Sequence, residues 1–424
     1  MPITLKISKI TPVGISVSKE AKLMSLNDMT SAERLHIGFF GLRNAGKSSL
    51  VNAVTGQQLA VVSDVKGTTT DPAKKAMELL PLGPVVIIDT PGLDDEGALG
   101  QLRVQKAKQA LSLIDIAVLV VDGTVGLGEL DRSLIASFRE RKIPYLTVFN
   151  KADLIKERRA LSEHEIYASA VTGENIYELK ERLGTFAQGL KNTKRLVADL
   201  LSPGDVVVLV TPIDESAPKG RMILPQQMTI RDVLDANAIV VTCQDTELSR
   251  TLQSLTIKPR IVITDSQAFD RVNADTPKDL PLTSFSILMA RYKGDLPTLV
   301  AGASALSRLK DGDKVLICEG CTHHRQCNDI GTVKLPHWIE NYCGAKPVYS
   351  FTSGGEFPND LSEYSLIVHC GGCMLTETAM KHRITMAVNA GVPIVNYGIA
   401  IAQMHGILRR NVQMFPDILA LLDD

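Results

Sequence analysis

Short apolar runs separated by stretches of helical spacing recur along this chain from about residue 35 to its end. In the first third the runs are 36–40, 85–88, 116–121 and 145–149. In the middle they are 206–210, 238–241 and 260–263, with helix-like stretches at 229–236 and 246–255 between them. The last third has 284–288, 314–317, 347–350, 366–368 and 393–395. Runs this short, rich in Val and Ile and alternating with helix-length segments, predict buried strands of parallel βαβ units. The pattern therefore predicts an α/β protein of three α/β domains, 35–192, 193–272 and 279–424, the last a doubly wound sheet. Residues 1–34 form an N-terminal extension, and Asn273-Ala274-Asp275-Thr276-Pro277-Lys278 reads as a linker.

The strand ends of the first domain carry chemistry. Run 36–40 passes straight into Gly41-Leu42-Arg43-Asn44-Ala45-Gly46-Lys47-Ser48, followed by the helical Ser49-Leu50-Val51-Asn52-Ala53-Val54. This is a P-loop in strand–loop–helix context, whose backbone N–H groups and helix N-terminus face phosphates. Lys47 reaches the β- and γ-phosphates, and the Ser48 hydroxyl takes Mg²⁺. Run 85–88 ends in Asp89-Thr90-Pro91-Gly92, where Asp89 holds Mg²⁺ through water and the Gly92 N–H senses the γ-phosphate. Run 145–149 ends in Asn150-Lys151-Ala152-Asp153. The Asp153 carboxylate accepts from guanine N1–H and N2–H₂, a donor face that adenine lacks. Ser169-Ala170 fits the loop that closes over the base, and Gly67-Thr68-Thr69-Thr70-Asp71-Pro72 fits a switch that orders when a threonine reaches Mg²⁺. The ordered series specifies a GTPase using GTP and Mg²⁺.

A second constellation lies near the C-terminus. Run 366–368 opens into His369-Cys370-Gly371-Gly372-Cys373, and run 314–317 opens into Cys321-Thr322-His323. Two strands of one parallel sheet would bring these loops together beyond its carboxyl edge. A lone Cys-x-x-Cys also serves as a redox pair or as two small buried hydrophobes. With a second Cys/His cluster at a matching strand end, metal binding is the stronger reading. Cys321, His323, Cys370 and Cys373 would close a tetrahedral zinc site. Three thiolates with a weaker fourth ligand would instead hold a [4Fe–4S] cluster with one exchangeable iron. Cys318 makes a competing Cys-x-x-Cys with Cys321, although its place at the end of an apolar run suits a buried structural cysteine.

Composition bounds the rest. A chain of 424 residues with 45% hydrophobic and 22% charged residues is of ordinary globular type, and a formal net charge of −1 gives no general attraction to nucleic acid or anionic membrane. No run approaches the ~20 apolar residues that span a bilayer. Seven cysteines, gathered towards the C-terminus, suggest ligands rather than disulfides. The first residues lack the basic start and apolar core of a secretory signal, so the expected compartment is the cytoplasm, and Met24 or Met29 could serve as alternative starts.

The G motifs resemble the TrmE–Era branch of GTPases, whose switch reads Gly-Thr-Thr-x-Asp. The resemblance makes Thr69 the Mg²⁺ ligand and matches Asn44 to the P-loop asparagine that helps some members bind an activating K⁺. Leu93 stands where Ras-like proteins carry their catalytic glutamine, which implies slow hydrolysis stimulated by K⁺, dimerisation or a partner. Taken with Cys321-Thr322-His323, forty-five intervening residues and His369-Cys370-Gly371-Gly372-Cys373, the chain resembles the [FeFe]-hydrogenase maturation GTPase (HydF) family. That resemblance implies a GTPase domain, a dimerisation domain forming a homodimer, and a cluster-binding domain. It implies that Cys321, Cys370 and Cys373 bind a [4Fe–4S] cluster, with His323 and His369 as candidates for its fourth ligand or its surroundings. It further implies a carrier that receives a diiron precursor from radical-SAM hydrogenase maturases and delivers it to the apo-[FeFe]-hydrogenase. GTP would then regulate partner exchange. The rival readings are a TrmE- or Era-like GTPase of tRNA modification or ribosome assembly with a structural zinc site, and a zinc-stabilised interaction protein. Near-neutral charge and the lack of a basic RNA-binding module count against the first.

Overall fold

The computed structural model describes residues 33–57, 73–92, 110–190, 194–213, 222–320 and 330–422. Three sheets organise them. The first has six strands in the order β2-β3-β1-β4-β5-β6: β1 Leu35–Gly41, β2 Ala73–Leu79, β3 Gly83–Asp89, β4 Ile116–Asp122, β5 Tyr145–Asn150 and β6 Glu165–Tyr167. All pair in parallel except β2, which runs antiparallel to β3. The central strands are mostly apolar because helices cover both faces, and Ile37, Phe39, Phe40, Val118 and Leu119 have no exposed surface. Two strands escape the sequence pattern. β2 is an edge strand carrying Lys74, Lys75 and Glu78, and β6 has only three residues.

The second sheet, β10-β9-β7-β8, is parallel throughout: β7 Val206–Val210, β8 Ile239–Cys243, β9 Ile261–Thr264 and β10 Leu282–Ser284. The strand expected at 284–288 is not there. β10 ends at Ser284, whose hydroxyl accepts from Ile287 N at 3.2 Å and caps the helix Phe285–Lys293. The expected linker 273–278 is likewise docked. It includes the end of the helix Phe269–Asp275, and the Arg410 guanidinium donates to the carbonyls of Asn273, Thr276 and Pro277 at 3.2, 2.9 and 2.6 Å.

The third sheet, β12-β11-β13-β14, is also all parallel: β11 Lys314–Glu319, β12 Val348–Ser353, β13 Leu366–His369 and β14 Ile394–Asn396. From β11 the chain moves outward to β12, then returns to the other side of β11 as β13. The strand order therefore reverses between β11 and β13, and such a reversal opens a crevice at the carboxyl ends where ligands bind. One continuous apolar core joins the second and third sheets, running from Val207 and Ile263 through Ile287 and Leu288 to Leu316 and Val368.

Candidate functional site

At the nucleotide end of the first sheet, the P-loop leaves β1 and enters the helix Lys47–Thr55. Asn44 and Gly46 both take left-handed backbone, φ 65° and 81°. A Cβ on Gly46 would lie 2.2 Å from Asn150 Nδ2, so only glycine fits there. Lys47, largely buried, donates to the Asp89 carboxylate at the end of β3. Gly92 sits against the P-loop, where an added Cβ would come 3.2 Å from Arg43 Cα. Lys47, Ser48, Asp89 and Gly92 thus share one strand-end cluster. Thr69 and Leu93 lie outside the described residues.

Asn150 holds the base-recognition loops to the phosphate loop. Its Nδ2 donates to Ala45 O at 2.9 Å and to Gly46 O at 3.4 Å, while its Oδ1 accepts from Ala170 N at 3.1 Å. Lys151, at φ 61°, pairs with Asp122 at 2.6 Å. Asp153 is exposed in the short 3₁₀ turn Ala152–Leu154. Buried Ser169 accepts from Val171 N and Thr172 N at 3.3 and 3.1 Å, which shapes the loop carrying Ala170.

The second site forms where β11 and β13 lie side by side, with Cys318 opposite His369 in the register. Cys370 N donates to Cys318 O at 2.8 Å, continuing the ladder by one step. Cys370 Sγ then accepts from Gly320 N at 3.0 Å and from Gly372 N at 3.4 Å. Two backbone N–H groups aimed at one sulfur make a seat for a thiolate. Gly320 directly precedes Cys321, so the loop bearing the third cysteine departs from beside this sulfur. Cys321 and His323 lie outside the described residues, and among the described residues no group of three His, Cys, Asp or Glu side chains is placed to hold a metal. Cys370 and Cys373, on one turn beside Gly320, are soft donors of the kind a thiolate-bound metal takes.

Burial, with Cys373 alongside, pushes the Cys370 thiol up to about 12. Burial also raises Cys373, opposed by the Lys293 ammonium. Thiols held neutral in this way ionise when a metal takes the proton's place. Cys318, fully buried within β11, is pushed up to about 11 by burial and belongs to the core rather than the crevice. His369 is fully buried and engaged on both ring nitrogens. Arg383 Nη1 lies 2.8 Å from its Nε2, and its Nδ1 lies 2.8 Å from Cys370 O. Arginine can only donate, so Nε2 accepts and Nδ1–H donates to the carbonyl. Burial and then Arg383 lower His369 to about 3, keeping it neutral. With neither nitrogen available, His369 orients the loop and is not placed as a fourth ligand.

Two residues of this site carry no motif. Lys293, 2% exposed, donates to Cys373 O at 2.9 Å and Leu375 O at 2.7 Å. Arg383, 4% exposed, also donates to Gly354 O at 2.7 Å and stacks over the Phe357 ring at 5.0 Å. Their signal is positional. Arg383 falls among the inward-facing Ala379, Met380, Ile384 and Ala387 of the helix Glu377–Asn389, and Lys293 lies one helical turn after the buried Met289. A cation at a core position of an amphipathic helix calls for a buried counter-charge or acceptor.

Comparison with known proteins follows the three sheets. Residues 36–151 match the family model of the 50S ribosome-binding GTPase, 196–294 the hydrogen maturase F dimerization domain, and 297–414 the hydrogen maturase F tetramerization domain. The tRNA modification GTPase MnmE of Nitrosomonas europaea is 36% identical over 156 residues, covering 36% of this chain and 34% of that protein. GTPase Der of Kosmotoga olearia is 28% identical over 240 residues, 52% of this chain and 54% of that protein. The chain thus spans about a third of the MnmE proteins and about half of Der. A crystal structure of Era from Aquifex aeolicus bound to GDP·AlF4⁻ aligns with 19% identity and a TM-score of 0.33, over 57% of this chain and 99% of that one. With a TrmE/Era-type P-loop GTPase domain followed by both hydrogen maturase F domains, this chain is a GTPase that belongs to the HydF family.

Proposed function

We propose that this GTPase is an iron–sulfur scaffold and carrier in [FeFe]-hydrogenase maturation. It binds a [4Fe–4S] cluster through Cys321, Cys370 and Cys373, accepts a diiron precursor from radical-SAM maturases and passes it to the apo-hydrogenase. The observation that carries this reading is the seating of Cys370 Sγ on Gly320 N and Gly372 N at the β11/β13 crevice. A cluster bound by three cysteines leaves one iron with an exchangeable position, and that position suits the transient holding of cargo. Two side chains hold the cysteine turn still: Lys293 donates to Cys373 O, and His369 to Cys370 O. The dimerization-domain match supports a homodimer.

In the nucleotide site, Lys47 would neutralise the β- and γ-phosphates, and Ser48, Thr69 and Asp89 would hold Mg²⁺, which would neutralise the charge that develops on the phosphates. Gly41, Asn44, Ala45, Gly46 and Ser49 shape the phosphate cradle, with Asn44 contributing to a K⁺ site. Asn150, Lys151, Asp153, Ser169 and Ala170 enclose guanine. No motif residue supplies a water-positioning glutamine, which favours slow turnover and a switch that times partner exchange. The test loads the reconstituted protein with a synthetic diiron dithiolate complex and adds apo-hydrogenase. Hydrogen evolution should appear with the wild type and be lost in Cys321→Ala, Cys370→Ala and Cys373→Ala. Equal activation by all four proteins would overturn the carrier role.

A further inference from the structure

The cluster crevice is not built from the third sheet alone. Lys293 is the last residue of the helix Phe285–Lys293, which follows β10 and falls inside the matched dimerization domain. It crosses into the third unit and caps the carbonyls of Cys373 and Leu375. On the opposite side, Arg383 reaches Cys370 through His369 and donates its remaining described bonds to the carbonyls of Gly354 and Glu356. Both cations are buried, and their described hydrogen bonds go to neutral acceptors. A buried charge held this way is expensive unless an opposite charge arrives. Cys373, whose carbonyl Lys293 grips, is the cysteine set against this ammonium, and the carboxylates of Glu33, Glu377 and Asp115 act on it as well.

Resting on the cluster reading above, we propose that Lys293 is a positioning residue of the cluster site. It fixes the Cys370–Cys373 loop by its two carbonyl bonds and sets its ammonium against Cys373. A fixed cation beside a cluster favours the state with one more electron, so Lys293 raises the cluster's reduction potential. It also makes the cluster site the joint property of two domains, so that the dimerization unit bears directly on the cluster.

The experiment uses full-length protein reconstituted anaerobically with iron and sulfide, comparing wild type, Lys293→Gln and Lys293→Arg. Glutamine keeps a donor and removes the charge; arginine keeps the charge. Iron and sulfide content are measured, then the one-electron midpoint potential by redox titration followed by electron paramagnetic resonance. Circular dichroism and GTP hydrolysis check folding. In Lys293→Gln the reduction equilibrium should shift about 10-fold or more towards the oxidised cluster, or about 59 mV per decade for one electron. Lys293→Arg should stay near the wild type. Loss of iron in Lys293→Gln with retention in Lys293→Arg also supports the charge. Wild-type potentials in both variants, or loss of iron from both while folded and hydrolysing GTP, would overturn the proposal. A wild type that takes up no iron and sulfide would instead overturn the cluster reading itself.

Discussion

Gly320 N donates to Cys370 Sγ at 3.0 Å across two strands whose sequence positions are 50 apart. One backbone group thus joins the root of the Cys321 loop to the first sulfur of the Cys-Gly-Gly-Cys turn. Gly372, at φ 64°, supplies the second N–H from left-handed backbone, and a Cβ there would meet Met380 Sδ at 3.0 Å, so that side chain would have to give. Gly372→Ala should strain the left-handed backbone by about 1–2 kcal/mol. The expected result is faster loss of iron to a chelator with GTP hydrolysis unchanged; equal chelation half-lives would show that the turn is not part of the seat.

Cys318 is the competing cysteine of Cys-Glu-Gly-Cys, and its burial in β11 removes it from the crevice. Cys318→Ala should keep iron, sulfide and the broad thiolate-to-iron absorption, at a stability cost of about 1 kcal/mol for the small cavity. Loss of the cluster in Cys318→Ala with retention in Cys321→Ala would reverse the ligand assignment.

The proposed guanine recognition assigns the base to Asp153, exposed at the turn after β5. Asp153→Asn should weaken GTP binding at least ~10-fold by removing charge-assisted hydrogen bonds, and should improve binding of xanthosine nucleotides. Isothermal titration with both nucleotides measures this. Comparable affinity of the unaltered protein for ATP and GTP would contradict the base assignment.

Lys47→Ala should reduce turnover on the order of 10²–10³-fold, because the phosphates lose their buried cation. Rates in K⁺ should exceed those in Na⁺, on account of Asn44. Identical rates in the two salts would remove the K⁺ site and leave the GTPase intact.

The first and third units meet at Asp115, just before β4. Its carboxylate accepts from His36 N at 2.9 Å and from Thr378 Oγ1 at 2.7 Å, and Thr378 lies in the helix that follows the cysteine turn. Thr378→Val leaves one oxygen of a largely buried carboxylate without its hydroxyl partner, a cost of about 1–3 kcal/mol. The expected readout is greater protease sensitivity between the units, with each active site preserved; an unchanged digestion pattern would show that the contact does not hold them together.

The nucleotide site was legible because its residues sit in contiguous motifs at strand ends, where local geometry dictates the chemistry. The double role of Asn150, tying Ala45 to Ala170, was not legible, since it depends on two strands becoming neighbours. β2 was hidden by the lysines that an exposed edge strand tolerates. The run 284–288 misled because a short apolar stretch has no decisive period; Ser284, as the cap of a helix, was the overlooked sign. Lys293 and Arg383 belong to no motif, and their importance comes from what the fold brings to them.

Three cysteines from two strand ends are proposed to hold one iron–sulfur cluster. The most direct test is metal and sulfide analysis of anaerobically purified wild type, Cys321→Ala, Cys370→Ala and Cys373→Ala. The wild type should contain iron and sulfide in equal amounts and little zinc, with the cluster lost in each variant. Tight zinc without iron in the wild type, or an undiminished cluster in all three variants, would contradict the account.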